Sequence, residues 1–114
     1  MEITVREFAE KYNFEIAAGN SGLDNKITCV YIGDLLSWVM GNAPENSAWI
    51  TIQGHVNIVA VTLLTGSACI IIAEGGELDK ESVYKADSED IPILTSKLTA
   101  YEIAKIFCQI ELAG

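Results

Sequence analysis

The single histidine of the chain, His55, stands in Gln53-Gly54-His55-Val56-Asn57, a polar break between two apolar stretches. An imidazole has the chemistry of a general acid or base. It needs a carboxylate to orient it and a nucleophile to serve, and neither adjoins it in sequence. Two further breaks offer complementary groups. Glu74-Gly75-Gly76 has glycines that let a ligand approach the backbone. Thr95-Ser96-Lys97-Leu98-Thr99 brings three hydroxyls and one cation. With the free N–H groups of helix starts, such residues can hold a small anion. The candidate ligand-binding residues are therefore Gln53, Gly54, His55 and Asn57 in the first loop. Glu74, Gly75 and Gly76 follow in the second, and Thr95, Ser96, Lys97 and Thr99 in the third. The same residue types turn corners and cap helices in any α/β protein, so a plain structural role stands beside the binding one.

Other chemistry finds little support. No H-E-x-x-H, G-x-S-x-G or phosphate-binding Walker loop occurs, and Gly19 to Lys26 lacks the G-K-[ST] that would place its lysine on a phosphate. No catalytic residue, cofactor or metal is expected. Cys29, Cys69 and Cys108 are far apart, odd in number and form no C-x-x-C pair. Each has apolar neighbours, which reads as a small buried hydrophobe in a reducing compartment. Glu74, Glu77, Asp79, Glu81, Asp87, Glu89 and Asp90 crowd one stretch without the spacing of an EF-hand loop, and read as a solvated acidic face.

The elements that must position these loops can be read from periodicity. Thr4-Val5-Arg6-Glu7 is a capping box, and Val5, Phe8, Ala9 and Tyr12 form one stripe of a short helix that stops at Asn13. Phe14 to Ala17 reads as a short strand, Gly19 to Gly22 as a loop, and Ile27 to Ile32 as one β-branched strand ended by Gly33. Asp34 is placed to cap a short helix over Leu35 to Met40 that ends at Gly41-Asn42. Ala48 to Ile52 reads as a strand. Val56 to Leu64 reads as a helix by length and spacing, although its valines and isoleucine favour a strand. Ala68 to Ala73 is a continuous apolar run, the mark of a strand covered on both faces. A polar helix over Asp79 to Ala86 follows, then a short strand over Ile91 to Leu94 whose proline suggests a sheet edge or a strand start. Thr99-Ala100-Tyr101-Glu102 is a second capping box, opening a last helix with Ala100, Ile103, Ala104, Phe107 and Ile110 as its buried stripe. Strands alternating with helices imply an α/β fold: a single small domain with a mainly parallel sheet flanked by helices. In such sheets ligands sit beyond the carboxyl ends of the strands, where the three candidate loops lie.

The chain has 114 residues, half of them apolar and 20% charged, which suits one packed domain. Sixteen acidic against seven basic residues give a net charge of -9, which argues against a nucleic acid or an anionic membrane as partner. From Ser47 to Ala73 no residue is charged, but Gln53-Gly54-His55 and Thr65-Gly66-Ser67 interrupt the stretch with groups that lipid would not tolerate. Met1-Glu2-Ile3-Thr4 lacks the basic start of a targeting segment, so a cytoplasmic location is expected. The Val56 to Leu64 helix is apolar nearly all round and must be covered all round. A domain this small has a limited interior, so a homodimer is expected.

Ala48-Trp49-Ile50-Thr51-Ile52-Gln53-Gly54-His55-Val56-Asn57, Ile70-Ile71-Ile72-Ala73-Glu74-Gly75-Gly76, Ile91-Pro92-Ile93-Leu94-Thr95-Ser96 and Thr99-Ala100 together resemble the DRTGG domain family. With Leu23 to Asp34, the likeness runs from about Leu23 to Phe107. It makes residues 23-107 a family-like core within one domain of residues 1-114, with an N-terminal helix and short strand over 1-22. One departure stands out: His55-Val56 occupies the place of the family's acidic-basic pair, and only Gly75-Gly76 matches its glycines. The resemblance implies an α/β domain akin to the amino-terminal domain of bacterial HPr kinase/phosphorylase, in a stand-alone version like those of anaerobic bacteria near redox and hydrogenase functions. It also implies a regulatory or dimer-forming role, since such domains accompany CBS-containing pyrophosphatases and phosphate acetyltransferases as accessory modules. It implies no kinase activity, because the kinase's phosphate-binding loop lies in its other domain. The expectation is thus a non-catalytic module that homodimerises and offers its rim loops to a small anionic metabolite or a protein partner. The alternatives are a small enzyme with His55 as acid or base, or a purely structural assembly subunit.

Overall fold

The structure, a computed structural model, describes residues 1–113. Chain order runs β1 (Ile3–Thr4), α1 (Val5–Tyr12), β2 (Glu15–Ala18), a 3-10 turn (Asn20–Gly22), β3 (Lys26–Ile27), β4 (Cys29–Ile32), α2 (Leu36–Asn42), β5 (Ser47–Thr51), α3 (Asn57–Thr65), β6 (Cys69–Ile72), α4 (Lys80–Ser88), β7 (Ile93–Thr95) and α5 (Ala100–Ala113). The main sheet has the order β2-β7-β6-β5-β4. Its four consecutive strands β4 to β7 are parallel, and β2 lies antiparallel against β7. The small β1–β3 ladder fastens the N-terminus, with Ile3 opposite Ile27.

Alternation along the parallel strands builds two cores. Ala48, Ile50, Cys69, Ile71 and Leu94 face Val5, Phe8, Ile103 and Phe107 of α1 and α5. Trp49, Ile70, Ile72 and Ile93 face Val39, Ile58, Val59, Val61 and Ala86 of α2, α3 and α4. The sheet is therefore covered on both faces, which is why its strands read as unbroken apolar runs. At the centre of the first layer the rings of Phe8 and Phe107 stack with centroids 4.3 Å apart.

Local signals held at several ends. Thr4 and Glu7 form the capping box, and Asn13 ends α1 in the left-handed region at φ 59°. Thr99 and Glu102 form the second box, each backbone N–H bonding the other's side chain. Pro92 stands ahead of an interior strand, its carbonyl accepting from the Ile70 N–H.

Three expectations are corrected. The Ile27 to Ile32 strand is two strands: Ile27 pairs with Ile3, and at Thr28 the backbone N–H turns to the Asn46 carbonyl, starting the ladder with β5. Asp34 does not cap α2; its Oδ1 accepts from the Thr51 hydroxyl at 2.8 Å and the Ile52 N–H at 3.0 Å, and α2 runs on through Asn42. The cysteines are not uniformly buried: Cys69 is enclosed, Cys29 half-buried and Cys108 exposed on α5. Helix α3 leaves Leu63 and Leu64 exposed in the single chain. Among the described residues no helix is long and apolar enough to cross a membrane.

Candidate functional site

The parallel register brings the ends of β5, β6 and β7 side by side, Thr51 opposite Ile72 and Ile72 opposite Thr95. The three candidate loops therefore leave the same edge of the sheet. They are also in contact. A Cβ added to Gly76 would come 3.0 Å from the Ile52 carbonyl, and one added to Gly54 would come 1.7 Å from that of Glu77.

Ala73 to Gly76 is a primed turn. Glu74 and Gly75 have φ 59° and 65°, and the Gly76 N–H returns to the Ala73 carbonyl at 3.1 Å. The Glu74 N–H donates to the Leu98 carbonyl and the Gly75 N–H to that of Ser96, both at 2.8 Å, so the turn is tied to the loop after β7. All three N–H groups of Glu74-Gly75-Gly76 are thus bonded to carbonyls. The glycine pair shapes the edge through its turn, and it has no free backbone donors with which to cradle an anion.

One cleft opens here, about 410 Å³ in volume, lined by Asn13, Glu15, Gly75, Gly76, Thr95, Ser96 and Lys97. Gly75 sits under the Lys97 stem, whose Cγ lies 3.9 Å from where a Cβ would stand. Among the described residues Lys97 makes no ion pair, as is also true of Lys11, Lys80 and Lys105, whereas Arg6, Lys26 and Lys85 face Asp24, Glu2 and Glu89. Ser96 Oγ accepts the Leu98 N–H at 3.0 Å, which fixes the loop and leaves the hydroxyl proton to donate. Glu15 lies opposite Thr95 in the β2–β7 ladder, so the cleft carries one cation, one carboxylate and two hydroxyls.

Of the eleven candidates, Gly75, Gly76, Thr95, Ser96 and Lys97 line this cleft, and the other six do not. Gln53 folds back, its N–H on the Thr51 hydroxyl and its amide 3.5 Å from the Asp34 carbonyl. Gly54 is buried, its carbonyl accepting from the Asp79 N–H at 3.0 Å and the Ser82 hydroxyl at 2.7 Å. His55 Nδ1 meets Asp79 Oδ2 at 2.9 Å, with the ring 72% exposed. This supplies an orienting carboxylate that the sequence did not place. Asn57 opens α3, Glu74 occupies the turn, and Thr99 is committed to the α5 cap. Asn13 and Glu15 were missed. Asn13 was legible only as a helix stop, and no local signal says that β2 pairs with β7.

No family model matches the chain, and no curated protein matches it. A solved structure does: the CBS and DRTGG domains of the regulatory region of a Clostridium perfringens pyrophosphatase, complexed with its activator, diadenosine tetraphosphate. The two align with a TM-score of 0.67 and 13% identity, over 85% of this chain and 42% of that one. This chain therefore spans less than half the length of that neighbour. At such identity the likeness speaks to the fold alone, and the fold is DRTGG-like.

Proposed function

We propose that this chain is a non-catalytic regulatory module of the cytoplasm. It homodimerises and takes a small polar ligand with an anionic group in the cleft between β2, the Ala73–Gly76 turn and the loop after β7. One observation carries the ligand: Lys97 extends over the cleft without an ion-pair partner, beside the Thr95 and Ser96 side chains. Glu15 on the opposite wall favours a ligand that also bears a hydrogen-bond donor, such as an amine or a hydroxyl. The likeness to a regulatory region crystallised with a nucleotide activator supports the class of role. The exposed side of α3 supports self-association. We read residues 1-114 as one DRTGG-like domain with residues 23-107 as its core.

Thermal unfolding with inorganic phosphate and with diadenosine tetraphosphate as probes tests this reading. A ligand bound only by the folded state raises the Tm. The expected result is a rise with at least one probe that disappears in Lys97→Ala. No rise with either, or a rise that survives Lys97→Ala, counts against the cleft.

The His55–Asp79 pair favours a second reading, a small enzyme with His55 as acid or base. A turnover activity that is lost in His55→Ala would establish it and remove the non-catalytic assignment.

A further inference from the structure

The cleft beside β2 carries one charge of each sign on opposite walls. The sheet order is β2-β7-β6, so Glu15 on β2 and the Ala73–Gly76 turn after β6 stand two strand spacings apart, about 9.5 Å across the sheet. Thr95 of β7 lies between them. Glu15 and Thr95 are direct partners in the antiparallel ladder, so their side chains leave the sheet on the same face. On the far wall the Lys97 stem lies over Gly75. Among the described residues neither Glu15 nor Lys97 makes an ion pair, and although both line this cleft they do not reach each other. Resting on the reading of the cleft given above, we propose that its ligand is a zwitterion: a small molecule with an ammonium group for Glu15 and, across a short spacer, a carboxylate or phosphate for Lys97 and Ser96.

Charge decides between a zwitterion and a plain anion. The chain has a net charge of -9, so its overall field opposes a ligand that is only negative, whereas a zwitterion of carboxylate and ammonium adds no net charge. The local balance points the same way. An adjoining hollow shares Asn13 and Glu15 with the cleft and adds Glu10, so the β2 side carries two carboxylates. Glu74 stands in the turn, outside the lining. Against these carboxylates, Lys97 is the one cation among the residues that line the cleft and the hollow. An anion held by Lys97 alone would face the β2 carboxylates, and an ammonium group on the same ligand turns that wall from repulsive to attractive. A neutral hydroxyl would also give Glu15 a donor, but a bond from ammonium to carboxylate is charge-assisted and roughly twice as strong. Ser96 Oγ already accepts the Leu98 N–H, which leaves its own proton for the anionic end. The Asn13 amide, with a donor and an acceptor, can serve either end.

Heteronuclear NMR titration of the full chain with two matched series tests the proposal. One series is β-alanine, 3-hydroxypropionate and propionate; the other is O-phosphoethanolamine and ethyl phosphate. Within a series the members differ in the ammonium group, and the series that binds tells carboxylate from phosphate. In the wild type the ammonium member is expected to bind about fivefold tighter than its counterparts, the scale of one exposed ion pair. Glu15→Gln is expected to bring that ratio down to about one, and Lys97→Ala to weaken every member. Glu111→Gln, the same change of net charge on α5 away from the cleft, is expected to keep the ratio. Glu15, Lys97 and Glu111 are all exposed, so far-ultraviolet circular dichroism is expected to be unchanged in the three variants. Equal binding with and without the ammonium group, or a ratio that survives Glu15→Gln, overturns the zwitterion and leaves the anion cleft standing. Failure of every probe to bind, or binding that Lys97→Ala does not weaken, overturns both.

Discussion

His55 Nδ1 lies 2.9 Å from Asp79 Oδ2, joining the loop after β5 to the start of α4. The two side chains are 72% and 48% exposed, so water screens the pair and its contribution stays below about 1 kcal/mol. The firmer fastening is in the backbone, where the Gly54 carbonyl accepts both the Asp79 N–H and the Ser82 hydroxyl. His55→Ala is expected to cost less than about 1 kcal/mol in urea denaturation. It is also expected to leave any Lys97-dependent ligand shift intact, since His55 does not line the cleft.

Gly54 is irreplaceable for a steric reason. A Cβ there would stand 1.7 Å from the Glu77 carbonyl oxygen and 3.1 Å from the Leu78 Cα, so it is backbone that would have to shift. Gly54→Ala is expected to destabilise by roughly 3 kcal/mol, near the upper end of ordinary substitutions. Gly41 on α2 is the control: nothing lies within 4 Å of its added Cβ, and Gly41→Ala is expected to stabilise by up to about 1 kcal/mol. Paired chemical denaturation curves read both.

Burial pushes the Cys69 thiol up to about 12 from 9.0, so the folded state holds it protonated. A group raised in this way gives its full stabilisation below 9.0 and loses it as pH climbs toward 12. Cys69→Ala is expected to lose less stability than the wild type across that interval. In native protein at neutral pH a thiol reagent is expected to modify exposed Cys108 and to reach Cys69 only on unfolding. Mass spectrometry of partly labelled protein distinguishes the two.

The Glu7 carboxyl is held below 4.5, first by the Thr4 backbone N–H and then by the Thr4 side chain. A depressed carboxyl contributes above its unfolded value and loses that contribution as pH falls through the folded one. Below pH 4.5 the wild type is therefore expected to lose stability more steeply than Glu7→Gln. Acid titrations followed by circular dichroism give the comparison.

Much of the fold was legible because local chemistry and tertiary need agreed. Thr4, Glu7, Thr99 and Glu102 cap helices by spacing alone, and the run over Cys69 to Ile72 announces a doubly covered strand. The α3 segment went against its β-branched propensity because it must cross the sheet between β5 and β6. What stayed hidden depends on distant partners. Asp34 looks like a cap until β5 brings the Thr51 hydroxyl to it. The rim was legible as three loops, but the cleft draws its far wall from Asn13 and Glu15, which only the β2–β7 pairing delivers.

That pairing also orders events in time. Glu15 is set opposite Thr95, so the earliest-synthesised strand of the main sheet has no neighbour until nearly the whole polypeptide has emerged. The consecutive strands β4 to β7 can assemble as they appear, each beside its predecessor, while the amino-terminal segment waits to close the far border. Such a long-range closure is slow by its nature. A nascent chain stalled before Ile93 would present β6 as a bare, wholly apolar rim, the form in which this protein is most exposed to aggregation and most in need of a chaperone.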